Sequence, residues 1–127
     1  MKIYTGYFAK LKYYTDNDLI PISIARKNPE WYVGHSCSYF APSYDLLSKY
    51  RKNEISSEEY TKIYLNQLDK DIVKEKLDKI ESKLGDVSVV LLCYEKPSDF
   101  CHRHVLAKYI KDNLNIDITE YTQVKPG

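Results

Sequence analysis

The chain has 127 residues, 43% of them apolar and 29% charged, with a formal net charge of +1. That length suits a single domain over 1–127 with a real core, and the composition excludes a disordered chain. The near-zero charge argues against a dedicated polyanion binder but leaves room for a local basic patch.

In chain order, Lys2–Ala9 reads as a strand rich in β-branched and aromatic residues. Leu19–Ala25 is a second apolar strand, and Lys27–Pro42 a long loop of the kind that often carries function. Pro42–Lys52 predicts a short helix with Pro in its first turn. Ser56 and Glu59 form a capping box, opening a helix with Tyr60, Ile63, Tyr64 and Leu68 on one stripe. A further helix, striped by Ile72, Val73, Leu77, Ile80 and Leu84, stops at Gly85. Val87–Cys93 is almost wholly apolar, as expected of a strand covered on both faces. Asp99–Leu114 reads as a helix capped by Ser98 or Asp99, and Ile116–Tyr121 as a last strand. The order β-β-α-α-α-β-α-β predicts a small three-layer α/β domain, with a mainly parallel sheet and helices on both faces.

Residues 1–14 carry no apolar core of a secretory signal, and the longest purely apolar run, Val89–Cys93, is too short to span a bilayer. Three cysteines, an odd number, argue against a disulfide framework. A reduced cytoplasmic protein with no membrane contact is expected.

The scarce residue types are the informative ones. All Cys and His fall in two stretches, His35–Cys37 and Cys93–His104. Ligands of open parallel sheets bind outside the carboxyl ends of the strands, where Cys93 lies, with Glu95 in the following loop. Cys101, His102 and Arg103 fall where the next helix begins, a place that attracts anions and lowers thiol pKa. Cys101 or Cys93 is therefore the candidate nucleophile, with His102, His104 or Glu95 as candidate acid or base. Arg103 and Arg26 are candidate anion ligands, and Trp31 and Tyr94 candidate stacking partners for a ring.

Each residue also has a plainer reading. Cys93 can be a buried strand residue, His102 a hydrogen-bonded core histidine, and His104 solvated. Arg103 and Glu95 can pair to close the loop, and the aromatics of 26–40 can pack that loop down. A phosphatase-type Cys-x5-Arg is absent, since Asp99 and Ala107 stand where the arginine is needed. Zinc is a third reading, but Cys93-x7-Cys101 and His35-x-Cys37 are not common ligand spacings, so no metal ligand is assigned. The sequence assigns no cofactor.

The segment Leu91–Arg103 (LLCYEKPSDFCHR) resembles the C-terminal signature of a bacterial and phage family, domain of unknown function 488: an apolar strand, Cys-x-Glu, a short loop, then Cys-His-Arg opening a helix. Ile24–Tyr32 is similar to its arginine-and-proline stretch, and Ala41–Tyr44 and Ile55–Tyr60 to its middle helices. The resemblance implies an α/β three-layer fold and no established activity. Many members carry an acidic residue before the arginine after the second strand, where this chain has Ser23-Ile24-Ala25-Arg26. His35 and Cys37 match no family motif. The expected function is binding of an anionic ligand at the 93–104 junction: a nucleotide, a phosphorylated metabolite or a nucleic-acid end. Cysteine-dependent chemistry would accompany it. The alternative is a non-catalytic interaction or accessory module, phage-related, whose Cys/His/Arg motif is structural.

Overall fold

The computed structural model describes residues 1–122. Its strands are β1 (Lys2–Tyr7), β2 (Leu19–Ser23), β3 (His35–Ser36), β4 (Ser88–Cys93) and β5 (Ile118–Glu120). Its α-helices are α1 (Leu11–Asp16), α2 (Tyr44–Arg51), α3 (Ser57–Asn66), α4 (Lys70–Leu84) and α5 (His102–Leu114). The strands form one all-parallel sheet in the order β3-β2-β4-β1-β5. The apolar run of β4 sits at its centre, paired to β1 with Ile3 opposite Val89 and to β2 with Ile22 opposite Leu91.

Strand side chains alternate between faces, so β4 feeds two cores. Val89 and Leu91 pack with Ile22, Tyr64, Val73, Leu106 and Ile110 beneath the layer of α2 to α5. Val90 and Leu92 pack with Phe8, Tyr14 and Tyr32 on the α1 face. The sheet is thus covered by helix on both faces, the three-layer α/β arrangement that the element order predicts.

The caps follow from local chemistry. Ser56 Oγ accepts the Glu59 N–H at 3.1 Å while Glu59 Oε1 accepts the Ser56 N–H at 3.3 Å, closing the capping box of α3. Asp69 caps α4 through the N–H groups of Asp71 and Ile72. Gly85 ends α4 at φ 85°, a conformation that strains any side chain.

Besides trims of two residues or fewer at the ends of β2 and α2, four differences from the sequence expectation stand out. Strand β1 stops at Tyr7, and the chain turns through a 3-10 segment into α1, which the pattern of 11–16 does not announce. One residue explains α1: Tyr14, 1% exposed, lies over Gly6 and its hydroxyl accepts the Tyr7 N–H at 3.1 Å. Within the long loop, His35 and Ser36 add a two-residue edge strand to β2, too short to leave a period. Helix α5 begins at His102, not Asp99, because the Asp99 N–H closes a turn on Lys96 O and Cys101 stays extended as N-cap. Strand β5 is shorter than expected and pairs with β1, so the β4–α5–β5 crossover passes over β1.

Candidate functional site

Strands β2 and β4 end side by side, tied by the Ile24 N–H donating to Leu92 O at 2.9 Å. Above their carboxyl ends lies a cleft of about 960 Å³ between α2, the start of α3 and the loops that follow the two strands. Arg26, Lys27, Arg51 and Lys52 line it, and Glu95 is the one acidic residue lining it among the described residues. Tyr44, Tyr50, Tyr60, Tyr94 and Phe100 add aromatic wall. Cys93, Cys101 and His102, all nearly buried, form the innermost lining. The cleft thus brings Cys93, Glu95, Cys101 and His102 together at the strand ends.

Cys93 and Cys101 are joined as a disulfide. The odd cysteine count argued against a disulfide framework, and this pair corrects that expectation: the end of β4 and the N-cap of α5 bring these two sulfurs together and leave Cys37, half-buried, as the free cysteine. His102 hydrogen-bonds through Nε2 to Ile24 O at 2.7 Å. A carbonyl only accepts, so Nε2 carries the proton and Nδ1 keeps its lone pair. That bare Nδ1 lies 3.7 Å from Cys101 Sγ. Burial, with a smaller contribution from the nearby guanidiniums of Arg103 and Arg26, pushes the His102 pKa down to about 4. The imidazole is neutral at physiological pH and a weak acceptor for a thiol proton, which tells against its role as general base.

Arg103 has no exposed surface. Its Nε and Nη2 donate to the two carboxylate oxygens of Glu120 at 3.0 and 3.1 Å, and Nη1 donates to Cys93 Sγ at 2.9 Å and to Glu95 O at 2.7 Å. Glu120 Oε1 also accepts the Thr5 hydroxyl at 2.7 Å. The carboxylate partner of Arg103 is therefore Glu120, and Glu95 contributes only its carbonyl. Four donors turned inward make Arg103 a clamp on Cys93 and its loop.

The other expected residues divide. Arg26 lines the cleft but spends Nε on Pro42 O at 2.9 Å and Nη2 on Ala41 O and Ser38 O at 3.1 and 3.3 Å. Its guanidinium also lies 5.6 Å from the centre of the Tyr44 ring. Tyr94 lines the cleft, its hydroxyl donating to Lys27 O at 2.6 Å and its ring resting on Phe8. Trp31 is 59% exposed, its ring edge-on to Phe8, and is not part of the cleft lining. His104 is half-buried rather than solvated; its Nε2 finds no hydrogen-bond partner among the described residues, and burial lowers its pKa. His35 opens β3 and Cys37 directly follows it, both apart from the cleft lining.

Sequence reasoning missed Arg51, Lys52, Tyr44, Tyr50 and Tyr60, which reach the cleft from α2, the turn after it and the start of α3. The scarcity of arginine was the available signal for Arg51, one of three in a lysine-rich chain. Among the described residues no helix is long and apolar enough to cross a membrane.

A family model described as DUF488-N3a, active DUF488-N3 subclade, matches residues 17–114, from just before β2 to the end of α5. No curated protein and no solved structure matches the chain. The matched span includes the whole Cys-Glu…Cys-His-Arg junction and every residue that lines the cleft, and the chain belongs to the family of domain of unknown function 488.

Proposed function

We propose that the cleft binds a small anionic ligand that carries a ring, most simply a nucleotide or the end of a nucleic acid, and presents it to the Cys93/Cys101/His102 group. The carrying observation is the lining: four cationic side chains against one carboxylate, interleaved with four tyrosines and a phenylalanine. Cations with donor hydrogens recognise phosphate or carboxylate, and exposed tyrosine faces stack on bases. Arg51 and Lys52 are exposed and free to turn toward a ligand, whereas Arg103 is enclosed and holds the floor. In a reducing compartment such as the cytoplasm, the Cys93–Cys101 pair would stand as two thiols at the cleft floor.

A thermal-shift and calorimetric panel tests the reading, with nucleoside 5′-phosphates set against nucleosides, ribose 5-phosphate and inorganic phosphate. Phosphate and ring should each add affinity, and Arg51→Ala should weaken every phosphorylated ligand. Equal responses from nucleoside and nucleotide, or an unchanged response in Arg51→Ala, would move the site elsewhere.

One observation favours a second reading. Arg103 is wholly internal, as expected of an accessory module, phage-related or otherwise, whose motif only locks the loop. A cleft that takes none of the panel would leave that reading standing.

A further inference from the structure

Cys93 Sγ, Cys101 Sγ and a ring nitrogen of His102 lie within 4.8 Å of one another, all buried and all lining the cleft. We infer that in the reduced protein these three residues form a Cys2His zinc site whose fourth position opens into the cleft. This specifies the floor of the proposed binding site, but its geometry stands without the ligand.

The imidazole is already in the ligating form. Nε2–H is held by Ile24 O at 2.7 Å, and Nδ1 faces Cys101 Sγ at 3.7 Å with its lone pair free. A backbone carbonyl on the second ring nitrogen is the usual outer partner of a metal-bound histidine. Tetrahedral zinc with Zn–S of about 2.3 Å and Zn–N of about 2.0–2.1 Å places sulfur and nitrogen roughly 3.6 Å apart, close to the spacing observed. The Cα atoms of Cys93 and Cys101 stand 7.6 Å apart, wider than the roughly 4.4–6.8 Å usual for a disulfide, so the backbone leaves room for an ion between the side chains.

The outer sphere fits thiolate ligands as well. Arg103 Nη1 donates to Cys93 Sγ at 2.9 Å, a bond that strengthens when the sulfur is anionic. Charge then balances in the interior: two thiolates offset a divalent ion, and Glu120 offsets Arg103. Binding releases the two thiol protons to solvent, and the cleft supplies water for the open position. Disulfide and metal site are alternative states of the same sulfurs. A two-electron thiol oxidant such as diamide, itself reduced to the hydrazine, joins the two thiolates as the disulfide, leaves no thiolate to ligate and expels the ion.

The test uses the whole chain, reduced, given zinc(II) or cobalt(II) and then desalted. One metal ion per chain is expected, with cobalt showing intense tetrahedral d–d bands and thiolate charge transfer in the near ultraviolet. Cys93→Ser, Cys101→Ser and His102→Gln should each abolish stoichiometric loading, Cys37→Ser should retain it, and diamide, a thiol oxidant, should release the metal. Folded, fully reduced wild-type protein that retains no metal would overturn the inference, as would His102→Gln or either cysteine variant loading fully. Because no nucleotide is present, failure here is distinct from failure of the cleft to bind its ligand. Should a variant fail to fold, the cobalt spectrum of the wild type decides alone.

Discussion

Replacing Arg103 with methionine separates a clamp from a ligand-binding arginine. The guanidinium is fully buried and makes four hydrogen bonds: two to Glu120, one to Cys93 and one to Glu95 O. Its loss strands the Glu120 carboxylate, whose side chain is only 15% exposed, and leaves the Glu95 carbonyl unpaired. Breaking one partner out of a buried ion pair costs about 3–5 kcal/mol, and partial access of water to Glu120 places this case near the lower end. Against a total stability of about 5–15 kcal/mol, such a loss is conspicuous in urea unfolding. Removing both charges in Arg103→Met/Glu120→Leu leaves no stranded carboxylate and should recover most of the loss, so the double-mutant cycle reports strong coupling. Arg103→Met within about 0.5 kcal/mol of wild type, the scale of an ordinary surface substitution, would refute the clamp.

The remaining predictions address other parts of the molecule. In metal-free protein held with chelator, His102 is neutral when folded down to about pH 4 but protonates when unfolded below about 6.5. The unfolded state then binds the extra proton, so stability is unaffected above pH 6.5 and falls between 6.5 and 4, by up to about 3 kcal/mol. Urea melts of wild type and His102→Gln across that window check this, and parallel pH profiles would contradict it. Gly6→Ala sets a Cβ 2.5 Å from the Tyr14 ring, and overpacking of this kind costs about 1–3 kcal/mol, read as a lowered melting temperature; an unshifted melt would mean that the α1 face is loose. Thiol counting after denaturation should give one free thiol in oxidised protein, that of Cys37, and three after reduction; three without reductant would show that Cys93 and Cys101 are not paired.

What the sequence disclosed depended on how local the physics was. The apolar run of β4 and the Ser56–Glu59 capping box are contiguous, and both elements form where the pattern places them. The junction motif is contiguous too, so Cys93 at the end of the strand and Cys101 and His102 at the start of the next helix were legible, but the joining of the two sulfurs was not. Helix α1 was not, because its packing rests on Tyr14 finding the notch above Gly6, a contact between elements. Nor was Glu120 as the partner of Arg103: it reaches the guanidinium only because β5 pairs with β1, next to β4. Lys52 and the tyrosines of the cleft wall gave no signal in a chain with 13 tyrosines and 19 basic residues, since most such residues are packing or solvated surface, whereas Arg51 carried only the faint signal of arginine scarcity.

The central claim is that the cleft above β2 and β4 holds a ring-bearing anion, and amide chemical-shift mapping during titration of the reduced protein with adenosine 5′-monophosphate tests it most directly. The account predicts saturable shifts confined to 24–27, 50–57 and 93–102, with Trp31 and the α4 surface unaffected. Shifts centred on Trp31 or α4, or none at millimolar nucleotide, would contradict it.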